Sequence, residues 1–471
     1  MIGGLKPHAA YKDSGLTWLG KVPAHWQIVR SKRLFTARKE LARPDDVQLS
    51  ATQAYGVIAQ SLYEERTGYR VVKISMHLDK RRHVERDDFI ISMRSFQGGL
   101  ERAWSTGAIR SSYVVLKPDA QVDAAYFRHL FKSVPYIAAL RATGDFIRDG
   151  QDLNYTNFCG VDLPLIPLSE QAAIGRLLDW ANANLERTIR AKRKTIALLT
   201  EQKQAIIHHA VTCSLESDTP LKPSGVPWIG DIPQHWSVMP IKRTCRLVRD
   251  GTHLPPARTV SGFPLLSVRN MIDGRLVRRT DDSFISQADF EQLNRSFVVR
   301  PNDVLMAIVG ATLGKVAVVD DIGPFQIQRS VALLRPRTDR MAAAFLATFL
   351  RSPRLQQHLW QSVAFSAQPG IYLGFVANIP VPVPPTVEEQ LSICDGLQRG
   401  LAPVEAAAAR ITKEIELLRE YRARLVADIV TGKLDVREAA LRLPDETTLR
   451  MGEDLVDEPD VVEFSDEETE A

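Results

Sequence analysis

Several stretches of this 471-residue chain carry residue types that could do chemistry, and in each the spacing is wrong for it. Gly310 to Lys315 reads GATLGK, one residue short of a loop that cradles phosphate, and Val316 stands where a Ser or Thr hydroxyl would hold magnesium. Pro384-Pro385 lacks the Asn or Asp before it and the aromatic ring after it that a base-methylating site would need; Val383 and Thr386 occupy those places. His208 and His209 are neighbours in a helical pattern, so they point to different faces and cannot share an ion. The four cysteines, Cys159, Cys213, Cys245 and Cys394, have no paired spacing and indicate neither a zinc site nor a disulfide framework. GxGxxG, HExxH and GxSxG patterns are absent. The chain is therefore expected to be no enzyme by itself.

What the sequence does contain, twice, is a long helical element. Glu170-Gln171 through Leu198-Leu199 to Val211-Thr212 returns, 219 residues on and without a gap, as Glu389-Gln390, Leu417-Leu418 and Val430-Thr431. Apolar residues alternate at three and four: Leu178, Leu185, Ile189, Ile196, Leu199, Ile206 and Ala210 in the first copy. The second has Leu397, Val404, Ala408, Ile411, Ile415, Leu418, Leu425 and Ile429. That heptad seam predicts two helices packed as a coiled coil. Lys203 and Arg422 interrupt it at equivalent places, with their charged heads expected to snorkel to water. Pro403 should break the second copy, and Asn182 and Asn184 weaken the first at the matching place, giving a short helix and then one of about 30 residues. Ser169 can cap the first copy, and Thr386 with Glu389 has capping-box spacing, so Glu170-Gln171 and Glu389-Gln390 read as helix starts.

A second repeat precedes each variable block. Lys12 to Arg33 and Lys222 to Arg243 share ten of 22 positions at an offset of 210, among them Trp18, Gly20, Pro23, His25 and Trp26, matched by Trp228, Gly230, Pro233, His235 and Trp236. Glycine and proline fix a turn, two tryptophans bury area, and the histidines, lacking ligand spacing, are expected to pack or hydrogen-bond. Fainter kinship links Asp87-Asp88-Phe89-Ile90-Ile91 to Asn302-Asp303-Val304-Leu305-Met306, and Tyr113-Val114-Val115-Leu116-Lys117-Pro118 to Val331-Ala332-Leu333-Leu334-Arg335-Pro336. These are strands bounded by turns, followed by helical stretches at 124–142 and 341–363.

Apolar content of 45% and charged content of 25% suit a globular protein of two to four units. No apolar signal core and no run of 18 apolar residues occurs, so a cytoplasmic protein is expected. Residues 443–471 hold twelve acidic side chains and one basic, a net −11 against +4 for the whole, which leaves +15 on the other 442 residues. A basic body with an acidic, poorly apolar tail suggests a polyanion as partner and a disordered tail.

Two Trp-Leu/Ile-Gly-x-Val/Ile-Pro-x-His-Trp turns, each followed by a variable block and a Pro-rich lead into Glu-Gln and a coiled-coil helix, resemble the specificity subunit of type I DNA restriction–modification systems. The resemblance spans residues 11 to about 437. It implies a mixed α/β fold: two strand-rich target recognition domains joined by two long helices in an antiparallel coiled coil, a pseudo-twofold internal repeat. The expected division is an N-terminal turn (1–26), recognition domain 1 (27–160), a central helical region (161–215), and a linker with the repeated turn (216–236). Recognition domain 2 (237–378), a C-terminal helical region (379–436) and the acidic tail (437–471) follow.

The family's function is then implied: reading an asymmetric, bipartite double-stranded DNA target and directing adenine methylation and restriction by partner subunits. Two methyltransferase subunits and restriction/translocase subunits would bind S-adenosylmethionine, ATP and magnesium, so this chain needs no cofactor and no metal. The alternative is a stand-alone two-headed DNA-binding or architectural protein without an enzymatic partner. Reading bases in the major groove takes Arg, Lys, Asn, Gln or Ser on loops at base edges, backed by phosphate contacts. The candidates are Arg94, Ser95, Gln97, Arg102 and Arg110 in domain 1, and His253, Arg269, Lys315, Gln328 and Arg329 in domain 2. Glu170, Gln171, Glu389 and Gln390, at the helix starts, are the candidates for partner binding.

Overall fold

Short β-branched and aromatic runs bounded by Asp, Asn and Gly form several small sheets in each half of the chain, the largest of four strands in the first and six in the second. In the computed structural model, residues 5–71, 80–144, 153–215, 218–252, 254, 256–363 and 369–444 are described. They fall into two units, one of residues up to 192 with those from 413, the other of residues 193–412.

The first unit walks through β1 (Phe35–Ala37), β2 (Phe89–Ile91), α1 (Ser95–Gly98), β3 (Glu101–Arg102), β4 (Val114–Pro118) and α2 (Ala124–Phe131) to α3 (Leu168–Cys213). Its four-stranded antiparallel sheet has the order β1-β4-β2-β3. The second unit has β5 (Cys245–Asp250), β6 (Val304–Ala307), β7 (Val316–Val318), β8 (Val331–Pro336) and α4 (Ala343–Leu350) before α5 (Val387–Val430). Its sheet begins in the same order, β5-β8-β6-β7, and two short strands, Arg275–Leu276 and Met271–Ile272, extend it to six. The kinship of the two domains, faint in sequence, is explicit in strand order.

One detail shows why the strand signals recur. Asp87 and Asn302 sit at φ 73° and 67°, a left-handed turn that Asp and Asn tolerate better than most residues. The next residue in each case is a buried aspartate. Asp88 accepts from the Glu85 amide and from Nε and Nη2 of Arg38 at 2.8 and 3.1 Å. Asp303 accepts from the Arg300 amide and from Nε and Nη2 of Arg335, both at 2.7 Å. Each carboxylate closes its turn and is neutralised in place by a forked guanidinium, as a buried charge must be.

The helical stretches expected at 124–142 and 341–363 each split in two, at Ser133-Val134-Pro135 and Ser352-Pro353, where proline opens the second helix in its first turn. The break expected at Pro403 does not occur. Both long helices are continuous, 46 residues in α3 and 44 in α5, and Pro403 lies on an exposed stripe inside the latter. Burial of Ile393 and Leu397 before the proline and Ile415, Leu425 and Ile429 after it outweighs one lost hydrogen bond. Every residue of the expected seam is buried or half-buried.

The helices run antiparallel. Within the first unit Glu186 pairs with Arg422 and Lys192 with Glu414; within the second, Lys203 pairs with Glu405. So Lys203 and Arg422 do not snorkel alone but close ion pairs across the helix interface. Ile174, Leu177, Leu178 and Ala181 of α3 join Leu425, Ile429 and Val430 of α5 in the first unit's core. Ala210 and Val211 join Ile393 and Leu397 in the second's. Residues Arg437–Leu441, assigned to the tail in sequence, form α6 and bury Ala439 and Ala440 against the first unit's core. Residues 445–471 lie outside the described ones. Among the described residues, no helix is long and apolar enough to cross a membrane.

Candidate nucleic-acid interface

Strand register gathers the candidate loops at one end of each sheet. In domain 1, Val114 opens β4 opposite Ile91, which closes β2. The turn before β4, with Arg110, and the loop after β2, with Arg94, Ser95 and Gln97, therefore emerge side by side. In domain 2, Val331 opens β8 opposite Ala307 at the end of β6. Gln328 and Arg329 are thus brought beside the loop from Ile308 to Lys315. The two turns are the same structure: the Tyr113 amide donates to the Arg110 carbonyl and the Val331 amide to the Gln328 carbonyl.

A further strand adds to the domain 2 loops. Phe263–Leu266 pairs in parallel with Gln326–Ile327, with Leu266 opposite Ile327. Arg269, on the 3-10 turn Val268–Asn270, thereby leaves from the same end as Gln328 and Arg329. Thr252 bridges to Gln328, and the approach is so close that a Cβ on Gly251 would lie 2.2 Å from the Ile327 carbonyl oxygen.

The candidates differ in how free they are to read a ligand. Lys315, Arg329 and Gln97 are exposed, and Arg94, Arg110 and Gln328 are half-buried. Arg269 is exposed, but Asp281 holds it through its carboxylate at 3.2 Å and its carbonyl at 2.6 Å. Arg102 is fastened to Asp87, and its guanidinium lies 4.3 Å from the Trp104 ring centroid. Ser95 is the correction: it is buried, and its hydroxyl accepts from the Ser92 amide at 2.9 Å, so it shapes the loop instead of facing a ligand. His253 lies outside the described residues. The sequence reading missed Tyr372, 88% exposed, beside the bridge between Gly370 and Val309 that places it against the Ile308–Lys315 loop. It also missed Gln53, whose amide donates to the Arg94 carbonyl at 3.3 Å.

The four helix-start residues turn out to work inside the units. Glu170 accepts from the Trp26 indole at 3.0 Å and lies 2.7 Å from His25 Nε2; Glu389 accepts from Trp236 at 2.8 Å and lies 3.0 Å from His235. Gln171 accepts from the Asp123 amide (2.7 Å) and donates to the carbonyls of Gln121 and Ile166 (2.8 and 2.9 Å). Gln390 repeats this with the Ala342 amide (2.7 Å) and the carbonyls of Arg340 and Pro384 (2.9 and 3.3 Å). Both glutamines are fully buried, so they present nothing to a partner; they clasp α2 and α4 to the long helices. The histidines are hydrogen-bonded, as the repeated turn suggested.

Charge inside domain 1 is also locked. His83 is enclosed between Asp46 and Glu85, each 2.8 Å away; burial opposes its protonation, but the two carboxylates prevail and raise its pKa. Asp179 of α3 is disfavoured by burial, yet His129, Arg128 and Arg102 hold it below the usual carboxylate range.

No family model matches the chain. It is 27% identical over 328 residues to the type I restriction enzyme EcoBI specificity subunit of Escherichia coli, covering 68% of each chain. To the EcoKI specificity subunit of Escherichia coli K12 it is 23% identical over 330 residues, again 68% of each. A chain from a solved type I restriction–modification system superposes with a TM-score of 0.62 at 18% identity, covering 88% of this chain and 99% of that one. In sequence this chain is similar to type I restriction-enzyme specificity subunits, and in fold it resembles a chain of a type I restriction–modification system.

Proposed function

We propose that this chain is the DNA-reading subunit of a type I restriction–modification complex, with each domain reading one half of an asymmetric bipartite target. The chain itself is not catalytic. It directs adenine methylation by two methyltransferase subunits and restriction by translocating nuclease subunits, which bring S-adenosylmethionine, ATP and magnesium, and it acts in the cytoplasm. The observation that carries the reading is the pairing of likeness and difference. Two sheets of one strand order present, at the same end, loops that share a turn but not their side chains: Arg94, Gln97 and Arg110 against Lys315, Gln328 and Arg329. Such loops suit phosphate positioning and base-edge contacts on duplex DNA.

The test is co-expression with an adenine methyltransferase subunit and sequencing of methylated positions. Replacing residues 27–160 by the same block of a relative should alter one half-site and leave the other unchanged. If both half-sites changed together, or if the purified chain methylated DNA unaided, the proposal would fail.

A further inference from the structure

The Trp-His turn is repeated, but one feature beside its first copy is not. Around Glu170 converge the N-terminal segment through His8, the turn through His25, and the segment after α5 through Asp435. Glu170 is 4% exposed and His8 7%. The backbone there is well tied: the His8 amide donates to the Tyr11 hydroxyl, which donates to the Lys433 carbonyl, both at 2.9 Å, and the Asp435 amide donates to the Lys6 carbonyl at 2.7 Å. Yet His8 Nδ1 is buried without a hydrogen-bond partner; the Asp435 carboxylate is 3.8 Å away and engaged by Arg437. A buried imidazole nitrogen left unmatched is costly, because it gives up water without gaining a partner, and so it asks for an explanation.

We infer that His8, His25 and Glu170 form a binding site for a divalent transition-metal ion of the zinc type, which staples the N-terminal segment and the Trp-His turn to the start of α3. One ligand atom from each of the three lies within 4.8 Å of the others. A tetrahedral ion with bonds of about 2.0–2.1 Å holds its ligand atoms roughly 3.4 Å apart. The His25–Glu170 contact of 2.7 Å must therefore widen and the longer separations close, by shifts on the order of 1 Å. His25 can supply that movement and an access route, because its side chain is 41% exposed. Glu170 keeps its second oxygen on the Trp26 indole, an outer contact that orients the carboxylate. Two imidazoles and a carboxylate suit zinc and its neighbours better than magnesium or calcium. In the second half His235 and Glu389 pair in the same way, but the residue matching His8 is Asp218, which is exposed, and among the described residues no third ligand atom gathers with that pair. The site is an addition to the first half alone.

The test uses the full chain stripped with a chelator. Zinc should bind at one equivalent, raise the Tm, and be replaced by cobalt with the visible absorption of a tetrahedral N/O site. His8→Ala and the bulkier His8→Gln should each weaken zinc binding by about tenfold or more while leaving the metal-free Tm close to that of the unaltered chain. His235→Ala should bind zinc as the unaltered chain does. If the unaltered chain takes up no stoichiometric zinc, or if both His8 variants retain its affinity, the site does not exist.

Discussion

Replacing Gln390 by methionine isolates what the buried clasp contributes. Methionine nearly keeps the volume, so little cavity forms, but the Ala342 amide and the carbonyls of Arg340 and Pro384 lose their partner. Leaving a buried backbone group unsatisfied costs about 1–3 kcal/mol; with the Pro384 contact the longest, we expect about 3 kcal/mol in all. Gln171→Met should cost as much or slightly more, since its three contacts are all 2.9 Å or shorter. Urea unfolding followed by tryptophan fluorescence and circular dichroism measures both. With a slope of about 3 kcal/mol/M, the midpoint should fall by about 1 M in the unit that carries the substitution. The two glutamines share no partner, so the double variant should show the sum within about 0.5 kcal/mol. A loss under about 0.5 kcal/mol for either single variant would refute the clasp as an energetic feature.

Three other outcomes follow from particular contacts. Lys203→Glu should destabilise the helix pair by about 0.5–1 kcal/mol and Glu405→Lys added to it should restore the loss, which a double-mutant cycle in thermal unfolding would show; no coupling would mean the pair is inert. His83 is held with a raised pKa, so its contribution is complete below the unfolded value of about 6.5 and is lost as pH rises through the folded value. Stability measured against pH should therefore fall more steeply for the unaltered chain than for His83→Gln on the alkaline side, and parallel profiles would contradict this. On target DNA, Lys315→Ala and Arg329→Ala should each weaken binding and, where a phosphate contact is lost, reduce the salt slope by about 1. Arg269→Ala, whose charge Asp281 already answers, should do less; equal effects for all three would count against the assignment.

The duplication was legible because identical residues recur at fixed offsets, and the heptad seam because every third or fourth residue repeats the same property. What stayed hidden was whatever depends on distant chain. Glu170-Gln171 looked like a helix start, and the helix does start there. But Ser169 caps nothing, since α3 already includes Leu168, and the side chains reach Trp26 and Asp123. Thr386 does cap, accepting from the Glu389 amide at 3.1 Å, because that contact is local. Pro403 breaks a helix on local rules and fails to here because packing on both sides decides. Ser95 and Tyr372 show the limit for the interface: residue type does not reveal that one is buried and the other almost wholly exposed.

The ion pairs of the long helices carry one more implication. Glu186 and Glu405 occupy the same place in the two copies, as do Lys203 and Arg422. Laid head to head with copies in register, the helices would set glutamate against glutamate and cation against cation. Folded back head to tail, each glutamate meets a cation, as observed. A repeat that keeps acid toward one end and base toward the other thus distinguishes the two directions in which its copies can meet, and like charges penalise the wrong one. Duplicating such a helix within one chain encodes its own reversal, without any residue dedicated to the purpose.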